Sequence, residues 1–283
     1  MNRRNFFKKA ILSGVSIAGI KDLSAANKYI EDAQTNIANQ EVITISGGEP
    51  EEMLDQAMMQ LGGMSKFIAK GDVVCIKPDI AWNQPQEMAS TTNPKLMAHI
   101  VKQCFEAGAK EVTVFDHTID DWRLSYASSG IKEAAESAGA KMLPAHMQNH
   151  YKKVALPYGT NIKSAEIHKA ILDADKWINV PVLKHHASIG HSGARKNYMG
   201  IVWDRQELYN NGTAKSINDI CTFSKKPVLN IVDAYRVITS KGPKGGDASD
   251  VKLTKTLLVS QNIDAIEISA TKFLNQLTNN TIV

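Results

Sequence analysis

The chain has 283 residues, 43% of them hydrophobic and 22% charged, long enough to bury one large core. Its formal charge of +4 sits at one end: residues 1–26 hold five of the 33 basic side chains and one of the 29 acidic ones, so the remainder is neutral. A neutral body excludes general nucleic-acid binding, which needs a surplus of Lys and Arg facing phosphates. The cysteines Cys75, Cys104 and Cys221 stand far apart with no C-x-x-C pair, which excludes an iron–sulfur cluster or a four-thiolate zinc site built from this chain's cysteines.

Residues 1–26 resemble a twin-arginine signal peptide: Arg3-Arg4, an apolar Phe6, Lys8-Lys9, a mildly apolar stretch of eleven residues, then Ser24-Ala25-Ala26. The apolar stretch is too short to span a bilayer. The resemblance implies the twin-arginine export machinery as a partner, cleavage near Ala26, a periplasmic or exported location and no stable membrane span after cleavage. Residues 27–40 are polar and read as a linker, leaving residues 41–283 as one domain.

From residue 41 strand and helix patterns alternate. Val42 to Ile45 reads as a strand, and Glu49-Pro50-Glu51-Glu52 opens a helix whose Met53, Leu54, Ala57, Met58 and Leu61 recur at helical spacing. Val73 to Ile76 is a buried strand ending in Lys77-Pro78-Asp79, with Trp82 just beyond. Asn93-Pro94 caps a helix with Leu96, Ile100, Val101 and Phe105 on one face. Glu111 to Phe115 is a third strand, tipped by Asp116-His117. Ser129 to Ala138 is a small helix, Lys141 to Leu143 a short strand, and Lys153 to Pro157 an edge strand because of its proline. Ile167 to Ala174 reads as helical and leads into the strand Trp177 to Leu183. Helical pieces follow up to Cys221. Pro227 to Asp233 and Thr256 to Ser260 are strands around a glycine loop, Gly242 to Gly246, and Asp264 to Leu277 is the closing helix. This alternation predicts an α/β fold, one large domain with a mainly parallel, doubly wound sheet and helices on both faces.

In such folds ligands bind beyond the carboxyl ends of strands. The stretch after Leu183 fits that position, with Lys184, His185, His186, His191, Arg195 and Lys196 among glycines. Two chemistries are compatible with it. One is a divalent metal held by His185, His191 and Asp233. Successive residues of a strand face opposite ways, so at most one of His185 and His186 enters the site directly. The other is a site for a small anion or a carbonyl compound: Lys184, His186, Asp116 and Lys77 are the candidate catalytic groups, and Arg195, Lys196, Asn197 and Trp82 would hold the substrate. A lysine in an enclosed setting can act as a base or an amine nucleophile, and Lys184 is favoured over Lys77 for that role.

The motifs together resemble the DUF362 family, a group named for its unknown function, over about residues 41–277. They run from Val74 to Asp79 with Trp82, through Thr91 to Leu96, Glu106 to Asp116, Asp173 to His186 and Lys196 to Gly200, to Leu229 to Ala234 and Gly242 to Gly246. The family commonly has Asn where this chain has Asp79, and Glu267 aligns loosely with its last acid. Some members carry a ferredoxin-like module that this chain lacks. At the level of fold analogy the cluster also resembles nickel-pincer lactate racemases, whose cofactor is held by Lys and His. Three readings compete: an exported enzyme using the Lys/His/Asp cluster with a metal or cofactor and a small anionic substrate, a non-catalytic periplasmic protein binding a small anion or metal, or a scaffold for a separate iron–sulfur partner.

Overall fold

A computed structural model describes residues 42–278. The signal-peptide and linker expectations lie outside the described residues. Strands are β1 (Ile43–Ser46), β2 (Val73–Pro78), β3 (Glu111–Val114), β4 (Lys141–Met142), β5 (Tyr151–Ala155), β6 (Ser164–His168), β7 (Lys176–Val180), β8 (Val182–His186), β9 (Gly190–Ser192), β10 (Leu229–Ile238) and β11 (Val251–Ser260). Helices are α1 (Pro50–Leu61), α2 (Pro94–Glu106), α3 (Trp122–Ser128), α4 (Ile131–Ser137), α5 (Lys169–Asp173), α6 (Arg205–Asn210), α7 (Thr213–Ile220) and α8 (Ile263–Thr278).

The main sheet runs in the order β1-β11-β10-β7-β2-β3-β4, with β8 beside β10 and β9 beside β8. The pairs from β10 through β7, β2 and β3 to β4 are parallel. The β1, β11 and β10 edge is antiparallel, as is the β8–β9 hairpin. The α/β class is as expected, with this antiparallel margin added.

Period-2 alternation splits each parallel strand between two cores. Val74, Ile76, Val112, Val114, Ile178 and Val180 pack with Met53, Leu54, Leu96, Ile100 and Ile131 on one face. Cys75 and Trp177 face the other way, toward Ile171, Tyr198, Ile217 and Ile220. Nearer the antiparallel margin that opposite face is covered by α8, whose Ile266, Ala270 and Leu274 meet Leu183, Val232 and Leu258. Burial pushes the Cys75 and Cys104 thiols up to about 12. They are free packing residues, not redox groups.

Four boundaries differ from the sequence reading. The predicted strand Trp177–Leu183 is two strands, because Pro181 has no N–H for the ladder and the chain steps from β7 to β8 there. Residues 164–168, read partly as helix, form β6 and pair with β5 in a separate two-stranded sheet; β5 ends before Pro157. A short helix, α3, begins where Asp121 caps with its side chain, a signal that the sequence reading passed over. β10 runs on to Ile238 and β11 starts at Val251, so the glycine loop is the tip of a long hairpin.

Candidate active site

Parallel pairing brings three strand ends to one edge. Ile76 is in register with Val114 and Lys77 with Asn179, so Lys77, Asp79 and Asp116 leave β2 and β3 side by side. There Lys77 Nζ meets Asp116 Oδ1 at 2.8 Å, both side chains 2% exposed. Lys77 also donates to Pro78 O and to Asn197 Oδ1. The Asn197 amide donates in turn to Lys77 O and to Asn179 Oδ1, and the Asn179 amide donates to Asn230 Oδ1. A buried line of amides thus runs across β2, β7 and β10 and holds Lys77 in one place. Asn197, expected to bind substrate, has its amide committed to this line.

The second pair is built from the next strand. Lys184 Nζ lies 2.9 Å from Asp79 Oδ2 and donates to Ser90 O as well. Asp79 also accepts from Ala81 N. Burial opposes ionisation of Asp79, but the charges of Lys184 and Lys77 outweigh it and hold the carboxyl below its usual range. The role left open at the family's usual Asn is therefore the counter-charge of Lys184. Asp116 is the opposite case. Burial dominates and raises its pKa, Asp79 adds to the rise, and Lys77 opposes it. Its Oδ2 accepts from Ile80 N at 2.6 Å. Gly200 lies against this pair so closely that a Cβ there would overlap Asp116 Oδ1.

These groups line a cavity of about 260 Å³, with Trp82, His117, His186, Lys196, Met199 and Arg205 among its other walls. Lys196 leads the 3-10 turn Lys196–Ile201 and is half-buried; among the described residues the one polar contact of its Nζ is Met199 Sδ at 3.9 Å. Burial lowers its pKa to about 8, with Lys184, Lys77 and Arg205 adding to the fall and Asp79 opposing. Arg205, at the start of α6, donates to His117 O and Thr118 O. The two imidazoles are held as different tautomers. His117 Nδ1 faces Val202 O at 2.8 Å and must donate, which leaves a lone pair on Nε2. His186 Nδ1 accepts from Ser188 N at 3.4 Å, which places the proton on Nε2. Burial lowers both pKa values to about 4, helped by Arg205 at His117 and by Lys196 at His186.

Lys77, Asp116, Lys184, His186, Lys196, Asn197 and Trp82 all reach this cavity. Arg195 does not. Its guanidinium turns away to Asp264 and Asn218 and ties the loop to α8. The proposed metal set is not assembled either. His185 Nδ1 accepts from Gly242 N, His191 pairs with Glu267 at 2.9 Å, and Asp233 accepts from Asn93 N and Tyr235 N. Among the described residues no group of three His, Cys, Asp or Glu side chains is placed to hold a metal ion. A metal held by side chains of the described residues does not fit, and Lys184, the expected base or amine nucleophile, is committed to Asp79. Glu267 binds His191 and Arg195 N, away from the cavity. Arg205 on the cavity wall was missed, and His117, read at the tip of β3, was given no role. Asp204, which caps α6 at Glu207 N, was the readable sign that a helix begins at Arg205. The glycine loop lies on the cavity side, with Pro243 on the wall and Lys244 stacked 4.8 Å over Trp82.

The model of the domain of unknown function DUF362 matches residues 74–272. The chain belongs to the DUF362 family. A thylakoid-associated protein of Synechocystis is 28% identical over 226 residues, 76% of this chain and 66% of that protein. The chain thus spans just under two thirds of that relative's length. Among solved structures, the lactate racemase apoprotein of Thermoanaerobacterium thermosaccharolyticum is similar with a TM-score of 0.52 at 17% identity, over 82% of this chain and 56% of that one. That likeness is one of fold.

Proposed function

We propose that this DUF362 domain is an enzyme acting on a small anionic substrate in the cavity at the carboxyl ends of β2, β3 and β8. One observation carries the reading: two of the cavity's lysines are neutralised by buried aspartates, whereas Lys196 and Arg205 face it with no carboxylate within ion-pair distance among the described residues. Placing two uncompensated cations in a half-enclosed wall costs desolvation free energy, and an anionic ligand offsets it. The neighbouring imidazoles supply acid–base capacity, His117 as a proton acceptor at Nε2 and His186 as a donor, both neutral at physiological pH. Lys77 and Lys184 serve as positioned charges rather than as the reacting amine. The Lys77–Asp116 and Lys184–Asp79 pairs fix the cavity's field, and Lys196 takes the role that the sequence alone assigned to Lys184.

Calorimetric titration with oxalate, acetate and inorganic phosphate tests the reading. At least one should bind at millimolar concentration or tighter, with about a tenfold loss in Lys196→Met, roughly one charge-assisted hydrogen bond. If no anion binds, or if Lys196→Met binds unchanged, the reading fails. Export belongs to the same proposal. The twin-arginine pattern of residues 1–26 supports it, and the Synechocystis relative is named for association with a membrane system. Among the described residues no helix is long and apolar enough to cross a membrane. Cell fractionation of the full chain against an Arg3→Lys, Arg4→Lys variant checks it: the variant should stay in the cytoplasm.

A further inference from the structure

The two uncompensated cations differ in what they can do. Arg205 is a fixed guanidinium, with one terminal nitrogen on His117 O and the other on Thr118 O, and its remaining N–H groups suit a carboxylate. Lys196 is a primary amine whose Nζ has a thioether 3.9 Å away in place of an anion. Beside it the cavity wall carries Trp82, Ile119 and Met199, apolar surface that suits a short carbon skeleton better than a fully hydrated ion such as phosphate.

Resting on the anionic-substrate reading, we propose that Lys196 forms a Schiff base with the carbonyl carbon of a small 2-oxo acid whose carboxylate is held by Arg205. The lone pair of the neutral amine attacks the carbonyl carbon, and the carbonyl π pair moves to oxygen, which takes up a proton. The resulting carbinolamine expels that oxygen as water as the nitrogen lone pair forms the C=N bond, and the two amine hydrogens are balanced by those of the water. No oxidant or reductant is needed. His117 Nε2 can receive the proton leaving nitrogen, and the Nε2–H of His186 can supply one to the departing oxygen. A lysine used only to hold an anion gains from staying fully charged; burial among three other cations instead leaves a large neutral fraction of Lys196 near pH 8, as an amine nucleophile requires.

The test incubates the full chain with pyruvate, adds sodium borohydride, and maps the modified lysine by peptide mass. A single reduced adduct on the peptide carrying Lys196, competed by oxalate and absent in Lys196→Arg, is the expected result. Mapping on the unmodified chain makes the result independent of whether the variant folds. Adducts scattered over surface lysines, or none above the Lys196→Arg background, overturn the Schiff base. If pyruvate then still binds reversibly by calorimetry, the anionic-substrate reading survives alone; if pyruvate, oxalate and phosphate all fail to bind, both fall.

Discussion

Gly200→Ala isolates the tightest point of the site. The φ of Gly200 is not in the left-handed region, so alanine meets no backbone penalty there, and the whole cost comes from overlap. The added Cβ overlaps Asp116 Oδ1 and stands 2.5 Å from Lys77 Cε and Nζ. Ordinary carbon contacts begin near 3.5 Å, so these atoms must retreat by about 1 Å. Neither can do so freely. Lys77 is held by Asn197 and Pro78 O, and Asp116 by Ile80 N. Overpacking a core costs about 1–3 kcal/mol, and breaking a buried ion pair about 3–5 kcal/mol. Because the displaced atoms are the charged ones, we expect about 3 kcal/mol, a fall in Tm of roughly 6–12 °C for a domain of this size. Gly212→Ala is the contrast: nothing lies within 4 Å of its Cβ and its φ is +81°, so only the left-handed penalty of about 1–2 kcal/mol applies. Differential scanning calorimetry of the two variants reads the difference. A Gly200→Ala protein that melts with the wild type and binds the same anions would show that Lys77 and Asp116 are not locked as described.

Lys184→Met removes one charge and strands Asp79 in the interior, so it should destabilise by about 3–5 kcal/mol, while the double variant Lys184→Met, Asp79→Leu should recover most of the loss; chemical denaturation of the full cycle measures it. Burial raises Asp233 to about 6, above its unfolded value of 3.8, so the folded state binds the proton more tightly. Its stabilising contribution is full below about pH 4 and is lost as pH rises to about 6; urea midpoints from pH 4 to 7 should fall through that window in the wild type and lose that slope in Asp233→Asn. Lys196 is charged below about 8, so oxalate affinity should weaken as pH rises through 8, and that dependence should vanish in Lys196→Met. Arg195→Ala should cost about 1 kcal/mol of stability, since its pair with Asp264 is partly exposed, and leave anion affinity unchanged by calorimetry.

The parts of the site legible in the sequence were those that follow from strand direction. Lys77, Asp116 and Lys184 could be placed at one edge because parallel strands deliver their carboxyl ends together, and alternation already allowed only one member of the His185–His186 pair to face inward. Partnership was not legible, because it is decided by which loop folds over the edge. The segment 79–93 returns across β2 and brings Asp79 to Lys184. The turn from Arg195 points one cation at α8 and the next at the cavity. In the sequence Arg195 and Lys196 are two adjacent basic residues with equal claims on a substrate; the carboxylate of Asp264, 69 positions away, separates their roles. The same holds for the lysines. Lys77 and Lys184 looked reactive because each closes an apolar run in the sequence, yet both lie buried within strands, which obliges each to find an acid, and a paired ammonium is a poor nucleophile. Lys196 lies one step farther out, on a short 3-10 turn, where the close approach permitted by Gly200 sets that turn against the Lys77–Asp116 pair and leaves Lys196 beside the cavity with no ion-paired acid among the described residues. On the proposed reading, chemistry falls to Lys196, the cavity lysine that the fold leaves without a carboxylate partner among the described residues.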